Sequence, residues 1–152
     1  MKTLKLVTTS MLLFLSVFCT SLVVNTQQAK AENGCSNKRL FGAYEIQGGG
    51  YLNTSTYALN VLDTFDGKGK VAGTILVRSI AGNVITNLPT EGTYKVNSDC
   101  SMTATFKRSD GTTANYSGVL YDNGNKFGWT QTDVNTVVNL QGERVIKQGR
   151  ND

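Results

Sequence analysis

The chain has 152 residues, of which 39% are hydrophobic and 17% are charged, and it contains no histidine. The absence of histidine excludes Ser-His-Asp and Cys-His nucleophilic enzymes and most catalytic zinc and non-haem iron sites. The formal net charge of +4 comes mainly from the N-terminal segment, so the rest of the chain lacks the basic surface of a nucleic-acid-binding protein.

Residues 1–31 have the three parts of a bacterial-type secretory signal peptide. Lys2 and Lys5 form the positive start, residues 6–24 form an apolar run, and Ala29-Lys30-Ala31 supplies a small-x-small cleavage site. We therefore predict cleavage after Ala31 and secretion, to the periplasm or beyond, of residues 32–152 as a single domain. The alternative is an uncleaved membrane anchor, because an apolar run of this length nearly spans a bilayer.

Cleavage would also remove most of the positive charge. Lys2, Lys5 and Lys30 account for three of the 15 basic residues, and the chain has 11 acidic ones, so the mature domain is close to neutral. Its remaining basic pairs, Lys38-Arg39 and Lys107-Arg108, are typical of solvated surface. We therefore expect no nucleic-acid partner and, after cleavage, no membrane association.

The mature domain keeps two of the three cysteines, Cys35 and Cys100, because Cys19 lies in the leader. In an exported chain such a pair predicts a disulfide, and only one connectivity is available. Closing a loop of this length would stabilise the fold by about 4 kcal/mol in the chain-entropy treatment. Two free thiols or a metal-binding pair are the alternatives, although two cysteines without histidine make a poor metal site.

From residue 32 onward, short runs rich in Val, Ile, Thr, Tyr and Phe alternate with Gly, Asn and Asp turns, a pattern typical of β-strands. No window of useful length has a helical period. The predicted strands are residues 40–47, 51–65, 70–80, 84–87, 91–97, 101–107, 113–121, 126–132, 136–141 and 144–147. The run Gly48-Gly49-Gly50 is interpreted as a flexible bend between the first two strands.

Connections this short make neighbouring strands antiparallel. A meander of about eight to ten strands leaves two edges unpaired unless it closes on itself. We therefore predict an all-β fold, a single antiparallel up-and-down β-barrel of about eight strands with one disulfide. A β-sandwich is the alternative.

Side-chain alternation assigns the faces of the strands. On the third predicted strand, one face would carry Val71, Gly73, Ile75 and Val77, and the other Leu76 and Ile80. Apolar residues on both faces predict an outer contact besides the barrel interior, with a helix, a loop or a partner subunit. A homo-oligomer is therefore one expectation.

Three segments carry a recognisable pattern. Residues 35–44 read C-S-x-x-x-L-x-G-x-Y, residues 65–74 read F-D-G-x-G-x-V-x-G-T, and residues 92–101 read G-T-Y-x-V-N-x-D-C-S. Together they resemble a group of small secreted bacterial proteins similar to the allene-oxide-cyclase-like and calycin-like barrels. The resemblance covers nearly all of the mature domain. It implies a barrel that holds an apolar or phenolic molecule, but it transfers no catalytic residue and does not fix the function.

The candidate ligand-binding residues are aromatic side chains that would face the barrel interior, together with one acid and one base that lie inside predicted strands. They are Tyr44, Glu45, Tyr57, Arg78, Tyr94, Phe106, Phe127 and Trp129. The rings would stack on a flat ligand or simply fill the core, and Arg78 would meet an anionic head group or pair with an acid. Five aspartates are predicted to serve turns, namely Asp63, Asp66, Asp99, Asp110 and Asp122.

These observations favour a secreted, non-catalytic barrel that binds a small apolar or aromatic molecule. A structural protein of the extracellular matrix with a solid core is the first alternative. An isomerase or cyclase that uses a buried Glu or Asp with Tyr hydroxyls is the second. The sequence predicts no metal site and no cofactor.

The leader and the disulfide are tested together by the mass of the protein secreted from a bacterial host. We expect an N-terminus at Glu32 and a mass two hydrogens below that of the reduced chain, measured by intact mass spectrometry with and without reductant. A secreted product that retains Met1–Ala31, or one whose mass does not change on reduction, would contradict one prediction or the other.

Overall fold

The computed structural model describes residues 34–145, so the predicted leader and its cleavage site lie outside the described residues. Eight strands follow one another along this part of the chain. They are β1 (Phe41–Leu52), β2 (Ser55–Asp66), β3 (Lys70–Ile80), β4 (Asn83–Val96), β5 (Ser101–Arg108), β6 (Thr113–Tyr121), β7 (Lys126–Gln131) and β8 (Thr136–Arg144). Short 3-10 turns occupy Asn37–Arg39 and Asp122–Gly124.

The strands form a closed antiparallel barrel. Each strand pairs with its neighbour in the chain, and β1 also pairs with β8, from Tyr44 opposite Arg144 to Leu52 opposite Thr136. This last pairing joins the two strands that an open meander would leave as edges. The predicted all-β, up-and-down barrel of about eight strands is therefore confirmed, and the β-sandwich alternative is wrong.

The two ends of the barrel are built from different connections. The disulfide end carries residues 34–40, 67–69, 97–100 and 122–125, and the loop end carries residues 53–54, 81–82, 109–112 and 132–135. Cys35 and Cys100 form the predicted disulfide, with their Cα atoms 4.9 Å apart and a sequence separation of 65. Leu40 is fully buried, and the Tyr94 hydroxyl donates to its carbonyl oxygen at 2.9 Å. The segment before β1 is thus fixed to the barrel at the disulfide end.

Strand β4 is continuous through Pro89, where two separate strands were expected. Proline has no backbone N–H to give to a neighbour, so it fits a sheet only where one side is free. Pro89 pairs with Thr74 of β3, and the pairing of β4 with β5 begins only at the next residue, Thr90 opposite Arg108. Similarly, β8 runs unbroken to Arg144, where a gap and a further strand were expected.

The glycine run lies inside β1, so the predicted flexible bend is wrong, and the chain reverses instead at residues 53–54. A Cβ on Gly48 would lie 2.1 Å from the carbonyl oxygen of Asn139, and one on Gly50 would lie 1.8 Å from that of Val137. The run is therefore explained by the close approach of β8 to β1, which leaves no room for side chains.

A β-bulge changes which side chains of β3 face inward. Asn60 of β2 pairs with Val77, whereas the next residue, Val61, pairs with Ile75, which leaves Leu76 unpaired. An extra residue shifts the alternation by one position. Leu76 and Val77 are consequently both exposed, whereas Arg78 is buried. The prediction that Val77 shares a face with Ile75 is wrong for this reason.

Aromatic rings fill most of the interior in one connected cluster. Phe127 lies 4.3 Å from Trp129 between ring centroids, and Phe65 contacts Tyr44, Tyr94, Phe127 and Trp129 at 5.1 to 6.0 Å. Several pairs meet edge to face, an arrangement worth about 0.5–1.5 kcal/mol per pair beyond area burial. The core is therefore well packed between the disulfide end and the middle of the barrel.

Two glycines on neighbouring strands provide a matched test of this packing. A Cβ on Gly142 would lie 2.1 Å from Cζ of Phe127, whereas one on Gly128 would have no atom within 4 Å. We expect Gly142→Ala to lower the free energy of unfolding by about 1–3 kcal/mol because it overpacks the core. Gly128→Ala should change it by less than about 1 kcal/mol. Urea unfolding measures both, and equal losses in the two variants would contradict this packing.

Candidate binding site

A small cavity of about 30 Å³ lies inside the barrel. Its wall is mainly apolar and aromatic and is supplied by Ile46, Leu59, Val61, Ile75, Phe106, Tyr116, Trp129 and Leu140. Three polar residues, Asp63, Thr90 and Arg108, complete the lining. The space suffices for about two water molecules or for a small group of a ligand.

The three polar residues belong to one row across four strands. Asp63 of β2 pairs with Gly73 of β3, Gly73 pairs with Thr90 of β4, and Thr90 pairs with Arg108 of β5. Because Gly73 has no side chain, the Asp63 carboxylate occupies that space, and a Cβ on Gly73 would lie 2.1 Å from its Oδ1. The sheet register therefore places an acid and a base in one cavity wall.

Asp63 is a buried carboxyl group with few hydrogen bonds to offset the loss of its hydration. Its side chain is 2% exposed, and its one hydrogen bond to a described residue is accepted from Oγ1 of Thr90 at 3.2 Å. Burial raises the pKa of Asp63 to about 6, and the Thr90 hydrogen bond lowers it only in part. The prediction that Asp63 serves a turn is wrong, because this residue lies within β2. Asp66, by contrast, accepts three backbone hydrogen bonds in the next turn, as predicted.

Arg108, predicted to be solvated surface, lines the cavity instead. Its Nη1 donates to Oγ1 of Thr112 at 3.1 Å. Desolvation by burial raises the pKa of the Tyr57 and Tyr116 hydroxyls, and the nearby Arg108 charge partly opposes this. Within the described part of the chain, Arg108 forms no ion pair.

Arg78, whose side chain is buried in the loop-end half of the barrel, is already paired. Its Nη2 donates to Oδ2 of Asp110 at 2.9 Å, and Arg78 is 6% exposed. The Asp110 carboxylate also accepts hydrogen bonds from the hydroxyl and backbone N–H of Thr112 at 2.6 and 2.9 Å. The Thr112 bonds and the Arg78 guanidinium together lower the pKa of Asp110 to about 2. Two partners were predicted for Arg78, an anionic ligand or an acidic side chain. The structure pairs it with an acidic side chain, that of Asp110.

Four buried polar atoms at or near the cavity have no hydrogen-bond partner in the described structure. They are the Tyr57 hydroxyl, Nε of Arg78, Nε1 of Trp129 and Oε1 of Gln131. An unpaired polar group costs about 1–3 kcal/mol when it is buried. Clustered in one half of a barrel, such groups are suited to hydrogen bonds with a small occupant, either water or a ligand.

The structure brings most of the predicted site residues into the interior and divides them into two groups. Tyr44, Tyr94 and Phe127 lie toward the disulfide end, where the Tyr44 hydroxyl donates to the Gly124 carbonyl oxygen. Burial raises the pKa of Tyr94 to about 12. Phe106 and Trp129 line the cavity. Tyr44, Tyr94 and Phe127 therefore belong to the packed core and do not line the cavity.

Tyr57 and Arg78 lie in the loop-end half of the interior, whereas Glu45 does not face the interior at all. Glu45 is exposed, and its Oε1 accepts a hydrogen bond from Nδ2 of Asn60 at 3.1 Å on the outer surface. It therefore lies apart from the other seven candidates.

The predicted site residues do not include Asp63, Thr90, Arg108 and Tyr116, which line the cavity. A signal for two of them exists in the alternation of the strands. Asp63 is in phase with Val61 and Phe65, and Arg108 is in phase with Phe106, so both fall on inward positions. Treating the aspartate as a turn residue and the basic pair as surface concealed this periodicity.

No family model matches this chain, and no curated protein matches its sequence. Among residues 34–145, no three metal-ligating side chains lie close enough to hold an ion. The same stretch contains no helix that is long and apolar enough to cross a membrane. The case for a function therefore depends on the cavity and its polar groups.

The buried Asp63 predicts a specific pH dependence of stability. Because the native pKa of about 6 exceeds the usual 3.8, the folded state binds this proton more tightly than the unfolded state. The resulting stability is present below about pH 3.8 and is lost as the pH rises through about 6, a change of about 3 kcal/mol.

Asp63→Asn should remove this term and keep the shape of the side chain. The difference in unfolding free energy between wild type and variant should therefore shift by about 3 kcal/mol in favour of the variant from about pH 3.5 to about pH 7.5. Denaturant unfolding across this range measures it. A difference that is constant with pH would show that Asp63 titrates normally.

Proposed function

We propose that the protein is a secreted, non-catalytic binding module that holds a small, mainly apolar molecule in the loop-end half of the barrel. The observation that carries this proposal is a mainly apolar cavity whose lining includes the unpartnered Nε1 of Trp129, together with three further unpartnered, buried polar atoms in the same half of the barrel. A ligand with a few polar groups would satisfy them and would restore the free energy that their burial costs.

The dimensions of the cavity limit the ligand. A cavity of about 30 Å³ is far below the roughly 300–1,000 Å³ of pockets that enclose drug-sized molecules. The ligand is therefore small, or it inserts only one end between Val61, Phe106 and Leu140. The half-buried Arg108 lies at the end of β5, beside the loop at residues 109–112, where side chains adjust more readily than in the middle of a sheet.

A structural protein with a solid core is the second candidate, and the tight aromatic packing favours it. In that case water molecules would pair with the unpartnered atoms, and the outer surface would carry the function. The exposed Leu62, Leu76 and Val77, at 40 to 44%, would then form part of a contact with a second copy.

A cavity-filling substitution distinguishes these candidates. Val61→Leu adds one methylene where about 30 Å³ is free, so it should fold normally and exclude the ligand. Val119→Leu adds the same group at a position that is 53% exposed and serves as the control. We expect native mass spectrometry of protein purified from a secreting host to show a bound small molecule in wild type and Val119→Leu only.

A second measurement makes a negative result decisive. Trp129 is the only tryptophan in the chain and lines the cavity, so its fluorescence reports occupation directly. If all three proteins have ligand-free masses and their emission does not respond to the small-molecule fraction of the host medium, the solid-core candidate replaces the binding module.

A further inference from the structure

We propose that the ligand is an apolar monocarboxylate, with its carboxylate held by Arg108 and its opposite end uncharged and directed toward Asp63. This inference rests on the proposed binding function and names the chemical class that the site would accept. It depends on the three polar residues of the cavity wall and on the groups that surround them.

Arg108 is the group in the cavity best suited to an anion. A guanidinium presents five N–H donors in a planar fork that matches a carboxylate. One Nη of Arg108 donates to Thr112, and no ion pair with a described carboxylate occupies the remaining donors. The Tyr57 hydroxyl lies close enough to Arg108 for the guanidinium to act on its pKa both as a charge and as a hydrogen-bond donor, and its own O–H, which has no acceptor among the described residues, is a further donor for a ligand.

The carboxylates nearest to Arg108 are engaged elsewhere. Asp110 pairs with Arg78 at 2.9 Å. Asp133 accepts hydrogen bonds from the backbone N–H and Nδ2 of Asn115 at 3.0 and 2.7 Å and from Nε2 of Gln131 at 2.7 Å. Partial burial raises the pKa of Asp133, but these hydrogen bonds and the Arg108 charge hold it below its usual range. Arg108 is thus the cavity-lining base whose remaining donors a ligand can use.

Asp63 sets the chemistry of the other end of the ligand. It shares the cavity with Arg108, and Thr90 lies between the two in the pairing of the strands. An ionised Asp63 in this apolar wall would repel a second negative charge, which would also lose its hydration on entry. A neutral end that fits about 30 Å³ meets neither penalty. The site should therefore select monocarboxylates over dicarboxylates.

Three probes of the same carbon number test this selection. Butyrate has one carboxylate, 1-butanol has none, and succinate has two. Each is titrated at about pH 8, where Asp63 is ionised, while Trp129 emission is recorded. We expect butyrate to bind roughly 10- to 100-fold more tightly than 1-butanol, as a charge-assisted hydrogen bond to a half-buried guanidinium implies. Succinate should bind at least about 10-fold more weakly than butyrate.

Three variants locate the effect. Arg108→Gln should bind butyrate no more tightly than wild type binds 1-butanol. Lys107→Gln removes the same charge from the adjacent, exposed position and should bind butyrate as wild type does. Asp63→Asn should reduce the difference in affinity between butyrate and succinate. Thermal unfolding of each variant confirms that the barrel is intact.

The outcomes separate this inference from the proposed function. Equal binding of butyrate and 1-butanol by wild type, or unchanged butyrate binding by Arg108→Gln, overturns the monocarboxylate assignment and leaves a binding module for neutral ligands. Succinate that binds as tightly as butyrate overturns the role of Asp63. If none of the probes changes Trp129 emission in folded wild type, and native mass spectrometry shows no bound molecule, both proposals fail.

Discussion

The pairing of β1 with β8 is the constraint on which the rest of the structure depends. Closure converts a meander with two sides into a barrel with an inside and an outside. Every second side chain must then enter a space that eight strands barely leave open. Aromatic residues fill most of this space, and any polar residue in phase with them is buried with them. Asp63 and Arg108 face the interior because of their register in the sheet.

The interior is divided along the barrel axis. Toward the disulfide end, the hydroxyls of Tyr44 and Tyr94 donate hydrogen bonds to backbone carbonyl oxygens outside the strands. The Phe127 ring there packs against Gly142. Toward the loop end, two arginines, two tyrosines and an unpartnered glutamine oxygen replace this arrangement. One half is thus specialised for stability, and the other retains polar groups whose burial lowers stability. Such a division is common where a rigid scaffold supports a site.

The sequence predicts the architecture well because alternation and turn chemistry are local properties. The closed barrel follows from them and is confirmed. The Cys35–Cys100 disulfide, which was predicted from the two cysteines outside the leader, is also confirmed. The bulge at Leu76 was not predictable, because an extra residue is defined only relative to the partner strand. The pairing across the Asp63, Thr90 and Arg108 row is likewise a property of three registers at once. Glu45 and Arg108 show the consequence: sequence alone assigned the first to the site and the second to the surface, and the structure reverses both positions.

The β1–β8 pairing also has a kinetic consequence. Contacts between the first and last strands are the most distant in sequence, and the chain must lose the entropy of a long loop before they form. Until β8 is in place, both edge strands of the nascent sheet can pair with other chains. The bridge between Cys35 and Cys100, which joins the start of β1 to the turn before β5, would shorten that search once it is oxidised. Protection from aggregation during folding would therefore depend on the order of oxidation and closure, a property of the folding pathway that the native contacts do not record.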